Sequence, residues 1–349
     1  MLARRETDVA EKTDKLFLKA VRREPVARRP LWIMRQAGRY LPEYRAFRQK
    51  HSFKQLAGEA SLAAEVTLMP LTRFPLDAAI VFADIMSPLP ALGVEFDFDP
   101  GPVVANPIRD AAAIERLREP AADEIAPEVI EALKLTRAAL PPSTALLGFC
   151  GAPWTLAAYL VEGRGAKDFP TLRAFAAAEP KLLDALLGKL SALMAEYLKR
   201  QAAAGADAVQ IFDSWAGLLS RASWEKLIRP HLTTLLTAVG AAGIPRILFL
   251  QNAPHLMDAY ASLPAEVLGV DWRIDLPELK TRYPQRAVQG NLEPAILTAG
   301  PAATAAAAKE LLLQTPARGH IVNLGHGILP QTPLASVAAL VDAVHSEEL

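Results

Sequence analysis

The stretch LWIMRQAGRYLPEYR, residues 31–45, joins an apolar run to a cluster of basic residues. Residues 31–34 predict a β-strand. Directly after it come Arg35, Gln36, Ala37, Gly38 and Arg39, with Arg48 following. A guanidinium stays charged and offers a planar fork of donors that matches a carboxylate. The stretch therefore predicts a site for a substrate with several carboxylates; the alternative is a surface loop whose arginines pair with Glu43 and Glu59.

Similar apolar runs recur along the chain and alternate with segments of helical periodicity. The eight predicted strands are residues 31–34, 78–82, 145–149, 208–212, 246–250, 267–270, 287–289 and 320–323. The predicted helices include residues 60–73, 181–203, 221–238, 277–282, 301–314 and 333–345. Eight strand–helix repeats favour an α/β fold with parallel strands, a (β/α)8 TIM barrel. A doubly wound open sheet is the structural alternative.

One segment falls outside this alternation. The sequence GVEFDFDPG, residues 93–101, alternates apolar and acidic residues and ends in Pro-Gly. It predicts a small extra β excursion near residues 93–105. No linker or internal repeat divides the chain, so we expect a single catalytic domain over residues 1–349. Residues 1–12 are expected to form a disordered N-terminal tail.

The composition restricts the class of protein. The 349 residues are 51% hydrophobic and 22% charged, as in a globular protein with a substantial core. Basic and acidic residues balance at 38 each, so no net positive charge favours nucleic acid. The sequence has one cysteine, Cys150, which we interpret as a small buried residue. A single cysteine excludes an intrachain disulfide and favours a reducing compartment.

Two long uncharged runs, residues 138–161 and 321–341, have the length of a membrane span. Prolines and glycines interrupt both, so each is interpreted as strand, loop and helix. The charged N-terminus has no apolar core and does not predict a secretory signal. We therefore expect a cytoplasmic protein that binds neither a membrane nor nucleic acid.

The residues that follow the predicted strands carry most of the candidate chemistry. In a (β/α)8 barrel these positions meet at one end, where the active site is found. Asp84 follows the second strand in an apolar context, where a carboxylate needs donors. Those donors would come from an ion pair with Arg35 or Arg39, from a cap, or from a ligand. His326, in Gly-His-Gly, is either a packed loop residue or a ligand contact, and no second His or Cys near it predicts a metal site.

Two residues with hydroxyl groups, Tyr159 and Ser214, also come after predicted strands. Tyr159 lies on the helix after the third strand, where spacing alone favours a core aromatic residue. Ser214 follows the fourth strand, and no histidine–acid pair beside it predicts a nucleophile. The sequence contains no dinucleotide fingerprint, no Walker sequence and no lysine in a Schiff-base context, so we expect an enzyme without a cofactor.

Two stretches resemble the signatures of one family. MRQAGRYLPEYR, residues 34–45, and GFCGAPWTLAAYLVEG, residues 148–163, resemble those of the uroporphyrinogen decarboxylases. The resemblance continues in order to NLGHG, residues 323–327. It implies a homodimeric enzyme that needs no cofactor or metal. Such an enzyme removes CO2 from the four acetate side chains of uroporphyrinogen III, giving coproporphyrinogen III in haem biosynthesis.

The resemblance also implies roles for individual residues. Asp84, Arg35 and Tyr159 would be catalytic, with Asp84 facing the four pyrrole N–H groups of the tetrapyrrole. The substrate contacts would be Arg35, Gln36, Ala37, Gly38, Arg39, Arg48, Asp84, Tyr159, Phe212, Ser214 and His326.

Two other functions stay open from the sequence. A cobalamin-linked methyltransferase would share the fold, but it needs a zinc site with cysteine ligands, and the single cysteine argues against one. A tetrapyrrole-binding protein without activity would be separated from an enzyme by incubation with uroporphyrinogen.

A cluster after the fourth strand predicts a dimer interface. Leu218, Leu219 and Trp224 are large apolar residues at the expected rim of the barrel. Packing beneath the loop of the fifth strand is the alternative.

Overall fold

The computed structural model describes residues 14–98 and 101–349, so the tail predicted over residues 1–12 lies outside the described residues. The strands are β1 Ala78–Ile80, β2 Phe96–Phe98, β3 Pro102–Val104, β4 Ala145–Gly151, β5 Ala208–Asp213, β6 Arg246–Leu250, β7 Val267–Val270, β8 Ala287–Leu292 and β9 His320–Leu324.

Sixteen α-helices lie in the described residues. They are α1 Leu16–Val21, α2 Pro42–Lys50, α3 Phe53–Gly58, α4 Ala60–Arg73, α5 Ala111–Glu115, α6 Pro127–Ala139, α7 Pro153–Glu162, α8 Pro170–Ala178, α9 Pro180–Ala203, α10 Arg221–Leu227, α11 Arg229–Gly240, α12 Met257–Ala261, α13 Leu276–Arg282, α14 Pro294–Thr298, α15 Pro301–Gln314 and α16 Leu334–His345. Short 3-10 turns occupy Leu89–Leu92, Ala122–Glu124, Ala216–Leu218 and Pro254–Leu256.

Seven strands form one parallel sheet in the order β1-β4-β5-β6-β7-β8-β9. The order follows the sequence without reversing, whereas a doubly wound sheet needs a reversal, so that alternative is wrong. Strands β2 and β3 form a separate antiparallel hairpin, with Phe96 opposite Val104. The protein is thus an α/β fold built on a parallel sheet with helices between its strands.

The first predicted strand, residues 31–34, is reduced to one bridging residue. Leu31 forms a parallel bridge with Val322 of β9. On its other side, the Asp77 N–H, just before β1, donates to the Leu31 carbonyl at 2.9 Å. The segment therefore contacts both edge strands of the sheet without being a regular strand itself.

Side chains explain why this strand ends early. The Ile33 N–H donates to Gln36 Oε1 at 3.1 Å, and the Met34 N–H donates to Asn323 Oδ1 at 2.9 Å. These oxygens take the place of the carbonyls that a neighbouring strand would offer. The prediction of a strand over residues 31–34 is therefore wrong, although its position beside β9 and β1 fits the pattern.

Most predicted helices are confirmed within one residue, and one is divided. The helix predicted over residues 221–238 is two helices, Arg221–Leu227 and Arg229–Gly240, which meet at Ile228. Pro230 has no N–H to donate, and it disfavours helical backbone at the residue before it. The proline therefore interrupts the helical hydrogen bonds at this point and divides the helix.

The N-terminal ends of the strands are covered by α1. Phe17 and Leu18 of this helix are buried in one cluster with Ala78, Ala145 and Ala208, the first residues of three strands. These small side chains leave room for the larger ones of the helix. The opposite, C-terminal ends of the strands remain for the functional site.

Burial confirms the interpretation of the single cysteine. Cys150 is fully buried, and burial raises the pKa of its thiol, as expected for an inert core cysteine. No helix in the described part of the chain is both long and apolar enough to cross a bilayer.

The predicted apolar patch on the rim is wrong. Trp224 is fully buried and stacks on Tyr260 with ring centroids 4.8 Å apart, and Leu219 is buried as well. Leu218 is half-buried. Trp224 and Leu219 thus belong to the core of the protein, so the three residues do not form an exposed apolar patch.

Candidate active site

Asp84, Tyr159 and His326 follow three different strands and share Arg35 as a neighbour. Burial raises the pKa of the Asp84 carboxyl and of the Tyr159 hydroxyl, and it lowers the pKa of His326 to about 4. Burial is the largest influence on each of these pKa values. The positive charge of Arg35 is a further influence on all three groups, and it acts to lower each pKa. Four predicted site residues therefore lie together at the C-terminal end of the sheet.

Arg35 has an unusual backbone. Its φ of 62° lies in the left-handed region, which is uncommon for a residue with a Cβ. Hydrogen bonds on both sides hold this turn: the Gln36 N–H donates to the Ile33 carbonyl, and the Ile328 N–H donates to the Met34 carbonyl, both at 2.9 Å. The second bond ties the turn to the loop after β9, which carries His326.

The positive charges of Arg35 and Arg39 are available to a ligand. Both side chains are exposed, and neither forms an ion pair with a carboxylate of the described residues. The loop alternative predicted pairs with Glu43 and Glu59, but Glu43 binds Arg73 instead, at 3.0 Å. The arrangement leaves two guanidinium groups facing solvent at the end of the sheet.

Two glycines leave the space that this turn needs. A Cβ on Gly38 would lie 3.0 Å from the Arg35 carbonyl oxygen, and a Cβ on Gly327 would meet the Arg35 side chain. The glycine after His326 thus has a steric reason that the sequence alone does not reveal.

Asp84 is half-buried and partly capped by its own loop. Its Oδ1 accepts the Met86 N–H at 2.8 Å, and the Asp84 N–H donates to Ser87 Oγ at 3.3 Å. Burial raises the pKa of Asp84, while the bond from Met86 and the charge of Arg35 oppose that rise. The capping role is therefore real, but it occupies only one carboxylate oxygen among the described contacts.

Arg39 and Arg48 lie near Tyr44. Burial raises the pKa of Tyr44, and the charges of Arg48 and Arg39 lower it. Arg48 is half-buried and donates through Nη1 to the His51 carbonyl at 2.6 Å. The Tyr44 ring packs 5.9 Å from that of Phe82, which leads into the aspartate after β1. Arg48 thus lies near Tyr44, with part of its donor capacity used by the backbone.

The Gln36 side chain points inward. It is fully buried, accepts the Ile33 N–H and donates to the Ala78 carbonyl at 3.1 Å. Both ends of the amide are used to join the turn to β1. Its side chain is therefore used to hold the turn against β1, whereas Ala37 and Gly38 are half-buried in the turn.

Phe212 and Ser214 lie at the end of β5. Phe212 is half-buried and packs edge-to-face against Phe149 and Phe249, with centroids 5.7 Å away in both cases. Ser214 is half-buried, and its N–H donates to Thr155 Oγ1 at 3.0 Å. The three phenylalanines form an apolar cluster beside the serine, in which Phe149 and Phe249 are buried.

Tyr159 belongs to a wall of aromatic rings. It packs edge-to-face on Phe169 at 5.7 Å, and Phe169 packs on Trp215 at 4.7 Å. Tyr159 remains half-buried, while Phe169 is fully buried. The wall holds the tyrosine ring and leaves it partly exposed. Burial has the largest effect on the pKa of Tyr159, and the charges of Asp84 and Arg35 have smaller effects, so both residues lie near it.

A cavity of about 1200 Å³ opens beside Asp84. The β2–β3 hairpin supplies much of its wall, together with Lys54, Glu128 and Arg164. Asp84 is the one predicted site residue among its described lining residues, so the charged cluster and the cavity meet at this aspartate. No pattern in the sequence pointed to Glu128. The hairpin was predicted from the sequence, but its position beside the site was not.

No group of three or more His, Cys, Asp or Glu side chains that could hold a metal ion occurs within residues 14–98 and 101–349. The carboxylate of Asp271, which follows β7, is bonded within the protein. It accepts the Asn252 N–H at 2.6 Å and binds Arg273 at 2.9 Å.

Solved structures support the fold. A methyltransferase from Methanosarcina mazei matches with a TM-score of 0.75 over 96% of this chain and 98% of that chain, at 22% sequence identity. An identity this low indicates a shared fold alone.

Sequence relatives are closer. "Uroporphyrinogen decarboxylase" from Sorangium cellulosum is 45% identical over 334 residues, which cover 95% of both chains. The proteins of the same name from Geobacter metallireducens and Coxiella burnetii (strain Dugway 5J108-111) are 42% and 43% identical over 94% and 95% of this chain, and 97% and 94% of theirs. The model of the uroporphyrinogen decarboxylase (URO-D) family matches residues 12–347. The chain therefore belongs to the uroporphyrinogen decarboxylase family.

Proposed function

We propose that this protein is a carboxy-lyase that converts uroporphyrinogen III to coproporphyrinogen III in porphyrin and haem biosynthesis. Together with the family assignment, one structural observation supports the proposal. The exposed guanidinium group of Arg35, which has no carboxylate partner among the described residues, lies near Asp84 at the edge of a large cavity, and Arg39 is exposed in the same segment. Such a site suits a substrate that has many carboxylates and a centre that becomes positively charged.

The reaction needs an electron sink. Direct loss of CO2 from an acetate would leave an unstabilised carbanion. If a proton first adds to the adjacent pyrrole carbon, the ring becomes cationic, and the electron pair released with CO2 neutralises it and forms an exocyclic double bond. A proton then adds to the exocyclic carbon while the ring carbon returns its own. The balance at each acetate is one carboxylate and one proton converted to a methyl group and CO2.

The site residues divide this work by charge. Asp84 faces the pyrrole N–H groups and stabilises the ring cation electrostatically, in a half-buried position where such stabilisation is strong. Arg35, Arg39 and Arg48 bind substrate carboxylates. A guanidinium holds its proton too tightly to be a good general acid, so we assign Arg35 to binding the reacting carboxylate.

Tyr159, Ser214 and His326 complete the contacts, with the backbone of Ala37 and Gly38 and the ring of Phe212 beside them. Burial lowers the pKa of His326 to about 4, and the charge of Arg35 contributes to this shift to a smaller extent. The imidazole is therefore neutral at pH 7 and contributes a hydrogen bond instead of a charge.

We further propose that the fold is a closed (β/α)8 barrel that forms one catalytic domain over residues 1–349. The bridge from Leu31 to Val322 and the bond from Asp77 to Leu31 support closure, with residues 31–34 in the place of the eighth strand.

Anaerobic incubation with uroporphyrinogen, followed by separation of products by carboxyl number, tests the activity. We expect the eight-carboxylate substrate to become the four-carboxylate product. Unchanged substrate, with binding retained, would identify a tetrapyrrole-binding protein instead.

We also propose that the enzyme acts in the cytoplasm without a metal or other cofactor. Exhaustive chelation, verified by elemental analysis, is expected to leave turnover intact. A stoichiometric metal whose removal abolishes turnover would contradict this.

We propose a homodimer on the basis of the family resemblance, since Trp224 and Leu219 are buried within the subunit. Sedimentation at micromolar concentration is expected to give about twice the chain mass of 37.7 kDa. A single species at the chain mass would refute the dimer and leave the catalytic proposal unchanged.

A further inference from the structure

Asp213, the last residue of β5, is a fully buried carboxylate that lies behind the site. Its Oδ1 accepts the Thr155 hydroxyl at 3.1 Å, and its Oδ2 accepts the hydroxyl of Tyr260. Thr155 Oγ1 in turn accepts the N–H of Ser214 at 3.0 Å. The carboxylate is thus connected to the backbone of a predicted substrate contact through one hydroxyl.

The same hydroxyl group is on the helix that carries Tyr159. Thr155 and Tyr159 are four residues apart in the helix Pro153–Glu162, so their side chains lie on one face. The start of this helix is also tied to β5, because the Ala152 N–H donates to the Phe212 carbonyl at 2.9 Å. The position of Thr155 therefore sets the position of Tyr159 relative to Ser214.

An ionised carboxylate gives this connection a fixed direction. A carboxylate only accepts, so the single Thr155 proton points to Asp213 and the oxygen must accept from Ser214. An amide at this position can either accept from the hydroxyl or donate to it, and an apolar group can do neither, so neither group sets a single direction. Burying a charge is costly, and burial raises the pKa of Asp213 to about 6. The hydrogen bonds from Tyr260 and Thr155 oppose this rise in the pKa.

We propose that Asp213 is a positioning residue for decarboxylation, acting through Thr155 to fix both Ser214 and the helix turn that presents Tyr159. The inference rests on the proposed function, because the two positioned groups are its substrate contacts. Asp213 itself is fully buried and does not touch the substrate.

A pair of Thr155 variants tests the proposal. Thr155→Val keeps the shape of the side chain and removes the hydroxyl, whereas Thr155→Ser keeps the hydroxyl and removes the methyl group. We expect kcat with uroporphyrinogen to fall by about tenfold or more in Thr155→Val, because small misplacements of catalytic groups have large effects on rate. Thr155→Ser is expected to remain within about threefold of wild type by the same reasoning. A merely structural loss of packing would not be rescued by the smaller serine.

Tyr260→Phe is the matched control, since it also removes one hydroxyl from Asp213 but leaves the path to Ser214 intact. We expect a kcat close to that of wild type. Should Thr155→Val fail to fold, Asp213→Asn, which keeps the shape of the carboxylate, takes its place in the comparison. Thermal unfolding of each variant establishes that it is folded.

Three results would overturn the proposal: a wild-type kcat in folded Thr155→Val, equal losses in Thr155→Val and Thr155→Ser, or an equal loss in Tyr260→Phe. Each assumes that the wild-type chain is active in the same assay. An inactive wild-type chain would instead overturn the proposed function, and this inference with it, so the two failures are distinguishable.

Discussion

Gly327 leaves open the space that the Arg35 side chain occupies: a Cβ at residue 327 would lie 2.3 Å from Arg35 Cδ and 2.8 Å from its Cγ. Atoms cannot approach so closely, so any larger residue must displace the arginine. The loop after β9 thereby controls the position of the guanidinium group that Asp84, Tyr159 and His326 share.

Gly327→Ala is therefore expected to lower kcat/KM for uroporphyrinogen by about 10²-fold, because it displaces Arg35 while the backbone at residue 327 tolerates a Cβ. Steady-state kinetics measures the effect. Gly188→Ala is the control, since a Cβ there meets nothing within 4 Å. Equal activity of the two folded variants would show that the position of Arg35 is unimportant.

Asp84→Asn keeps the shape of the side chain and removes its charge. We expect kcat to fall by about 10²-fold or more, the loss typical of removing one preorganised electrostatic group. Asp97→Asn removes a charge from an exposed residue on the same cavity wall and is expected to have little effect. Activity of Asp84→Asn within threefold of wild type would reject its role.

Arg35→Lys and Arg39→Lys keep a positive charge and lose the planar fork of donors. Loss of one charge-assisted hydrogen bond costs about 1.5–3 kcal/mol, so we expect kcat/KM to fall by about 10- to 100-fold without loss of the fold. Arg73→Lys, at an exposed pair with Glu43, is the control. Unchanged kinetics in both site variants would show that neither arginine binds a carboxylate.

His320 should make the stability sensitive to acid. It is fully buried, with Nε2 2.8 Å from the Gly290 carbonyl, and burial, followed by the charge of Arg29, lowers its pKa from 6.5 to about 3. The folded state then binds fewer protons than the unfolded state between these values. The contribution of neutral His320 to the free energy of unfolding is fully present above pH 6.5. It is lost as the pH falls toward 3, by up to about 1.4 kcal/mol per pH unit.

Urea unfolding of His320→Gln, which keeps an N–H donor but does not titrate, is expected to show a flatter pH dependence over this window than wild type. His51→Gln, at a half-buried surface histidine, should follow the wild-type curve. Parallel curves for wild type and His320→Gln would contradict the prediction.

The strands and helices were largely predictable because local periodicity encodes them. Seven of the eight predicted strands form the parallel sheet, and Asp84, Tyr159 and His326 were found as residues that follow strands. Parallel strands bring their C-terminal ends to one side, so residues far apart in sequence could be expected to meet.

The sequence by itself determined the order of strands and helices, the arginine cluster and the family signatures, because these depend on neighbouring residues. Only the tertiary structure decided that Arg35 adopts a left-handed turn, that Gln36 points inward and that Trp224 is buried. It also decided that the hairpin and Glu128 line the cavity beside Asp84. Each of these depends on contacts between residues far apart in the chain, such as Gly327 with Arg35 and Trp224 with Tyr260. No local pattern encodes such contacts, since the same short segment packs differently against a different neighbour.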